Sequence, residues 1–186
     1  AVARFGEASV SVNVSALQFR AKGFVETVTK ILKETGLRPD RLEIELTESA
    51  LVDDRDQALG ILRHLKTLGV RVSLDDFGTG YSSLSYLRFF PFDALKIDRS
   101  FVRDIETGDG SLAILEAVLR LGRAMRLRVV AEGVETAAQL GILQNLRCDE
   151  VQGYLFAEPA EPQTLAGFDP ASVLTPGRSA GPSRAA

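Results

Sequence analysis

VRVSLDDFGTGYSSL, residues 70–84, runs from an apolar, β-rich stretch into two adjacent acids and then a glycine loop. Before it, Ala58, Ile61, Leu62, Leu65 and Leu68 fall at helical spacing, and Gly69 stops that helix. After it a shorter helix is expected over Ser83–Phe89, ahead of Pro91, and then a strand over Ala94–Ile97. The same alternation extends both ways. Upstream, Val10–Val14 and Leu42–Leu46 read as strands, separated by Phe24, Val28, Ile31 and Leu32 on one helical stripe closed by Gly36. Downstream come a helix over Leu112–Met125, a strand over Val129–Ala131, a helix over Ala137–Asn145 and a strand over Val151–Leu155.

Strict alternation of this kind predicts an α/β fold, a parallel sheet with crossover helices. Asn13, Glu45, Asp75 with Asp76, Lys96, Glu132 and Gln152 each lie at or near a strand end, on average about 28 residues apart. An eightfold barrel of about 250 residues repeats at roughly 31, and its active site collects at the strand C-termini. The expected fold is therefore a TIM-like (β/α) barrel, incomplete, with about six βα units present and the N-terminal units missing. An open doubly wound sheet is the alternative, but it would concentrate polar strand ends at one switch point.

Glu45, Asp75, Asp76 and Glu132 offer carboxylates and Asn13 an amide oxygen, with no histidine or thiolate among them. Such oxygen donors suit Mg²⁺ or Mn²⁺ better than zinc, and adjacent acids suit a two-ion phosphoesterase site. Lys96 would add a fixed positive charge for a phosphate oxygen or the attacking water. A single acid is more often a solvated surface charge, and spacing alone leaves the paired acids open between the two readings. Phe77–Tyr81 reads either as a mobile active-site loop or as a tight βα connection, and it lacks the spacing of a dinucleotide fingerprint. His64 belongs to a helix, far from any strand end. Tyr86, Phe89, Phe90 and Phe92 read as core or as a homodimer contact.

The 186 residues are 45% apolar and 25% charged, with a net charge of −3, so no basic field exists for a long nucleic acid. The one cysteine, Cys148, excludes an intrachain disulfide. No apolar run spans a bilayer, and a cytoplasmic location is expected, with membrane anchoring of a longer parent left open. Residues 169–186, rich in Pro, Gly, Ser and Ala, are expected to be a disordered tail behind a domain of residues 1–168.

Six segments, in order, resemble the EAL family of cyclic-di-GMP phosphodiesterases: SVNVSALQF from Ser11, ELTES from Glu45, DDFGTGYSSL from Asp75, KIDRSFV from Lys96, AEGVET from Ala131 and QGYLF from Gln152. The resemblance implies a modified TIM barrel that hydrolyses cyclic di-GMP to linear pGpG. It implies Asn13, Glu45, Asp75, Asp76 and Glu132 as ligands of two metal ions, and Lys96 as the residue positioning the water. Gln152 becomes a further contact, and Glu48 the anchor of the loop Phe77–Ser82. No Glu-Ala-Leu tripeptide occurs in the chain, which matches the missing strand units. Glu158 stands where the family commonly has a basic residue before proline. Further N-terminal signalling domains are expected in the parent protein. A receptor that binds cyclic di-GMP without cutting, and a dimerisation module, are the competing functions.

Overall fold

A computed structural model of the chain describes residues 9–161 apart from 53, 79–83, 107 and 109. The tail expected over 169–186, the loop residues 79–82 and the side chain of Tyr86 lie outside the described residues. Six strands are formed among the described residues: β1 (Val10–Asn13), β2 (Leu42–Thr47), β3 (Arg71–Phe77), β4 (Ala94–Ile97), β5 (Arg128–Glu132) and β6 (Glu150–Gln152). They pair in chain order, every pair parallel. Sequential order without a switch point is the topology of a barrel wall, so the six strands form a curled half-barrel and the doubly wound alternative falls.

The helices are α1 (Ala16–Arg20), α2 (Phe24–Thr35), α3 (Ser49–Val52), α4 (Arg55–Leu68), α5 (Leu84–Phe89), α6 (Arg99–Arg103), α7 (Ser111–Met125) and α8 (Ala137–Asn145). Both α2 and α4 end on the glycines expected, Gly36 and Gly69, in the left-handed conformation. Three short helices were not anticipated: α1, α3 and α6. The first begins at a capping box in which Ser15 and Gln18 satisfy each other's backbone donors. In α6 the Asp98 carboxylate accepts the Ser100 N–H at 3.0 Å.

Side chains alternate across each strand, and here the two faces differ sharply in chemistry. Ile44, Leu46, Val72, Leu74, Leu95, Ile97, Val129 and Ala131 join one buried apolar cluster with Leu62, Leu65, Leu115 and Leu119 of the helices. The opposite face carries Glu43, Glu45, Ser73, Asp75 and Lys96, all buried. At its N-terminal end Arg128 donates to Glu43 at 2.6 Å and also pairs with Glu150. The concave face is thus ionic, unlike the branched apolar filling typical of such barrels.

Phe90 and Phe92 belong to the core, edge to face at 6.1 Å. Phe89 is about half exposed, with the Arg55 guanidinium 3.9 Å above its ring. His64 is exposed on α4.

Helix α7 lies on β5 at Gly122, where an added Cβ would come within 2.2 Å of Val129 Cγ2. Alanine normally favours a helix interior, yet here overpacking decides the sign. Gly122→Ala is expected to destabilise the chain by about 1–3 kcal/mol. In urea unfolding, the loss should be smaller in G122A/V129A than the two single losses added together.

Candidate metal centre and active site

Three carboxylates meet at the C-terminal ends of β3 and β5. Asp75, Asp76 and Glu132 each place an oxygen within 4.8 Å of the others. Consecutive strand residues should point to opposite faces, so the Asp75–Asp76 pair needs an explanation. Between Leu74 and Phe77 the β3–β4 register shifts: three residues advance on β3 while two advance on β4. Asp76 sits within this irregularity in the left-handed conformation, at φ 54°. The bulge turns its carboxylate back beside that of Asp75. An acid tolerates this conformation better than a branched residue.

Lys96 lies under this cluster, its side chain 6% exposed. Its ammonium is 2.6 Å from Glu45, 2.7 Å from Glu132 and 3.4 Å from Asp75. Burial alone would push the lysine pKa down, but the hydrogen bonds to Glu132 and Glu45 and the charges of Glu132 and Asp75 outweigh it. The net shift is upward, so Lys96 stays cationic near neutral pH. Burial pushes Glu132 above the usual carboxylate range, with Lys96 pulling it partly back. Asp76 is also raised, first by burial and then by the charges of Asp75 and Asp98.

The other expected residues fall around this core. Glu45 faces Lys96 rather than joining the three-acid cluster. Asn13 is in register with Glu45 on the adjoining strand and is exposed. Gln152 ends β6 opposite Glu132, and its carbonyl accepts the Val134 N–H at 3.0 Å. Glu48 is half-buried at the turn into α3; the loop assigned to it lies largely outside the described residues. Phe101, from the KIDRSFV segment, packs on the start of that loop: a Cβ at Gly78 would fall 2.8 Å from its ring.

A recess of about 290 Å³ opens off the acids, lined by Asp76 and Glu132 together with Asp98, Arg99, Glu135 and Tyr154. These last four were not singled out from the sequence, although Asp98 and Arg99 directly follow Lys96 in a quoted motif. A larger groove, about 1010 Å³, runs between α2 and α4, but no strand-end residue lines it. Of the two, only the smaller recess is lined by strand-end acids.

The EAL domain family description matches residues 1–159. This chain belongs to the EAL domain family. The cyclic di-GMP phosphodiesterase NbdA of Pseudomonas aeruginosa is 45% identical over 159 residues, 86% of this EAL chain and 20% of NbdA. The solved phosphodiesterase MucR, also of Pseudomonas aeruginosa, in complex with c-di-GMP, matches at a TM-score of 0.80 and 44% identity. That match covers 84% of this chain and 64% of the MucR chain. A manganese and cyclic-di-GMP complex of Klebsiella pneumoniae BlrP1 matches at TM-score 0.77 and 35% identity, over 83% of this chain and 40% of that one. The EAL chain spans about a fifth of the length of the curated relatives it matches. Among the described residues no helix is long and apolar enough to cross a membrane.

The Lys96 network makes a prediction about stability. Removing one partner of a buried ion pair leaves uncompensated charge, so Lys96→Met is expected to cost about 3–5 kcal/mol near neutral pH. A carboxyl whose folded pKa exceeds its unfolded value destabilises the fold when ionised, and the loss is relieved as pH falls through the folded pKa. Glu132 is already of this kind with Lys96 present. The deficit of K96M in urea unfolding should therefore shrink from about pH 8 to about pH 5. A deficit that does not change with pH would count against the network.

Proposed function

We propose that this chain is a cyclic-di-GMP phosphodiesterase domain that opens one phosphodiester of the ring to give linear pGpG. The observation that carries the reading is the meeting of three metal-compatible carboxylates with a buried lysine at the C-terminal ends of adjacent strands. The names of NbdA and MucR support the substrate.

The donor set fits hard divalent cations. Asp75, Asp76 and Glu132 supply carboxylate oxygens close enough to converge on an ion, and no sulfur or imidazole competes among them. Glu45, on β2 beside β3, and Asn13, on β1 one strand further out, would add oxygen donors to the ligand set for two ions, Mg²⁺ or Mn²⁺. Bound ions would act as Lewis acids toward the phosphoryl oxygens and ease deprotonation of water. Lys96, fixed by its acidic partners and cationic near neutral pH, cannot act as the base. Its role is to hold the attacking water by donating a hydrogen bond. The water oxygen bonds to phosphorus as the P–O3′ bond breaks, and the 3′ oxygen leaves as a hydroxyl. Gln152 adds a polar contact at the rim of the same recess, and Glu48 anchors the loop that follows β3. Residues 1–168 form the domain, and in a longer protein it would act beside further signalling domains in the cytoplasm.

A cyclic-di-GMP receptor that does not cut is the second reading, favoured by Glu45 pairing with Lys96 instead of joining the three-acid cluster. Two measurements separate them. Mn²⁺ at about 100 times its Kd should stabilise the chain by about 2.7 kcal/mol, and Asp75→Asn should remove most of that shift. Chromatography should then show pGpG formed from cyclic di-GMP, falling more than about 100-fold in D75N. Binding without pGpG would select the receptor. Neither a metal response nor binding would refute both.

A further inference from the structure

Helices α2 and α4 close on Gly36 and Gly69, both in the left-handed conformation. Helices α7 and α8 close differently. Arg126, directly after α7, has φ 59°, and Arg147, two residues after α8, has φ 55°. A left-handed φ suits glycine and costs a residue that carries a Cβ. A cation near a helix C-terminus gains something from the dipole, yet glycine is what this chain uses at α2 and α4, where only the turn has to be made.

The two arginine-ended helices meet. Arg123 Nη2 donates to the Leu146 carbonyl at 2.5 Å and to the Arg147 carbonyl at 3.0 Å, which fixes that guanidinium against the end of α8. Arg120, one turn earlier on α7, and Arg147 make no side-chain hydrogen bond or ion pair among the described residues. With Glu116 and Asn145, these three arginines line a recess of about 290 Å³, and all three are exposed. The recess lies where α7 and α8 lead back to the first residues of β5 and β6. It is thus at the opposite end of the strands from the acids of the metal centre.

Three guanidinium groups against one carboxylate leave two positive charges in excess, in a chain whose net charge is −3. A phosphate monoester near neutral pH carries about 1.5–2 negative charges and three strong acceptor oxygens. Planar arginine forks match such oxygens two at a time. A carboxylate brings one charge and two oxygens, and would leave the recess cationic with donors unused.

We propose that this recess is a phosphate-binding site, taking free phosphate or the phosphomonoester end of a small molecule. Arg123 is its fixed fork, and Arg120 and Arg147 close on the remaining oxygens. The left-handed arginine is kept after α8 because the ligand needs its guanidinium there. The site uses neither the metal ions nor the acids of the phosphodiesterase reading and stands independently of it.

The test is calorimetric titration of inorganic phosphate, GMP and acetate into the metal-free chain at constant ionic strength. The proteins are wild type, Arg123→Ala, Arg147→Gly and Arg126→Gly. Phosphate should bind saturably, at least about tenfold more tightly than acetate, and R123A and R147G should each weaken it by roughly 10- to 150-fold. Both glycine variants remove a left-handed Cβ, so in urea unfolding each should hold or raise the midpoint. R126G alters a residue outside the recess and should keep phosphate binding. Loss of binding in R147G without loss of stability is a result that a merely structural role would not produce. Tighter binding of GMP than of phosphate assigns the ligand as a nucleotide's terminal phosphate, and equal or weaker binding assigns free phosphate. If phosphate binds no better than acetate, or R147G binds it as wild type does, the assignment falls. Equal losses in R126G and R147G would reveal a diffuse basic surface and overturn it as well.

Discussion

Inside the curl of the sheet, one ammonium from β4 is held by carboxylates from β2, β3 and β5. None of these groups is tolerable there alone. A desolvated lysine loses its proton unless acids surround it, and clustered acids take up protons unless a cation separates them. Because the partners come from four neighbouring strands, the network also resists sliding of any one strand. A slip of one residue would turn Glu45, Asp75, Lys96 or Glu132 toward the helices. Strand register and site electrostatics are therefore the same constraint in this chain.

The second ionic layer, formed by Glu43, Arg128 and Glu150, shows that the network is not an isolated intrusion into an apolar interior. Among the described residues the main apolar cluster lies on the convex side, between sheet and helices, with only Ala94 and Val130 as buried apolar side chains on the opposite face of β4 and β5. The concave side is held by charge, so it can be filled by water, ions or a polar ligand without tearing open the core. A barrel filled with branched aliphatic residues could not accept carboxylates below its active-site layer at comparable cost.

Much of this was legible from residues alone. Ala94–Ile97 and Ala137–Asn145 were read to the residue, because each is bounded by strong local signals. The meeting of Asp75, Lys96 and Glu132 followed from their position at strand ends. Two things escaped. The strand through Val70–Leu74 continues to Phe77, because acids and a following glycine read as a loop when the paired neighbours are unknown. Asp98 and Arg99 also stayed hidden. The aspartate caps a five-residue helix with no apolar period to announce it, and the arginine opens that same helix.

The irregularity in β3 has a consequence for anyone wishing to transplant this centre. Asp75 and Asp76 are adjacent in sequence, and a regular strand would aim one of them into the apolar layer between sheet and helices. Copying the acids onto an ideal barrel would thus bury a charge and halve the pair. The transferable unit is the fault in the strand together with its left-handed aspartate. Selection for stability alone would tend to smooth that fault away.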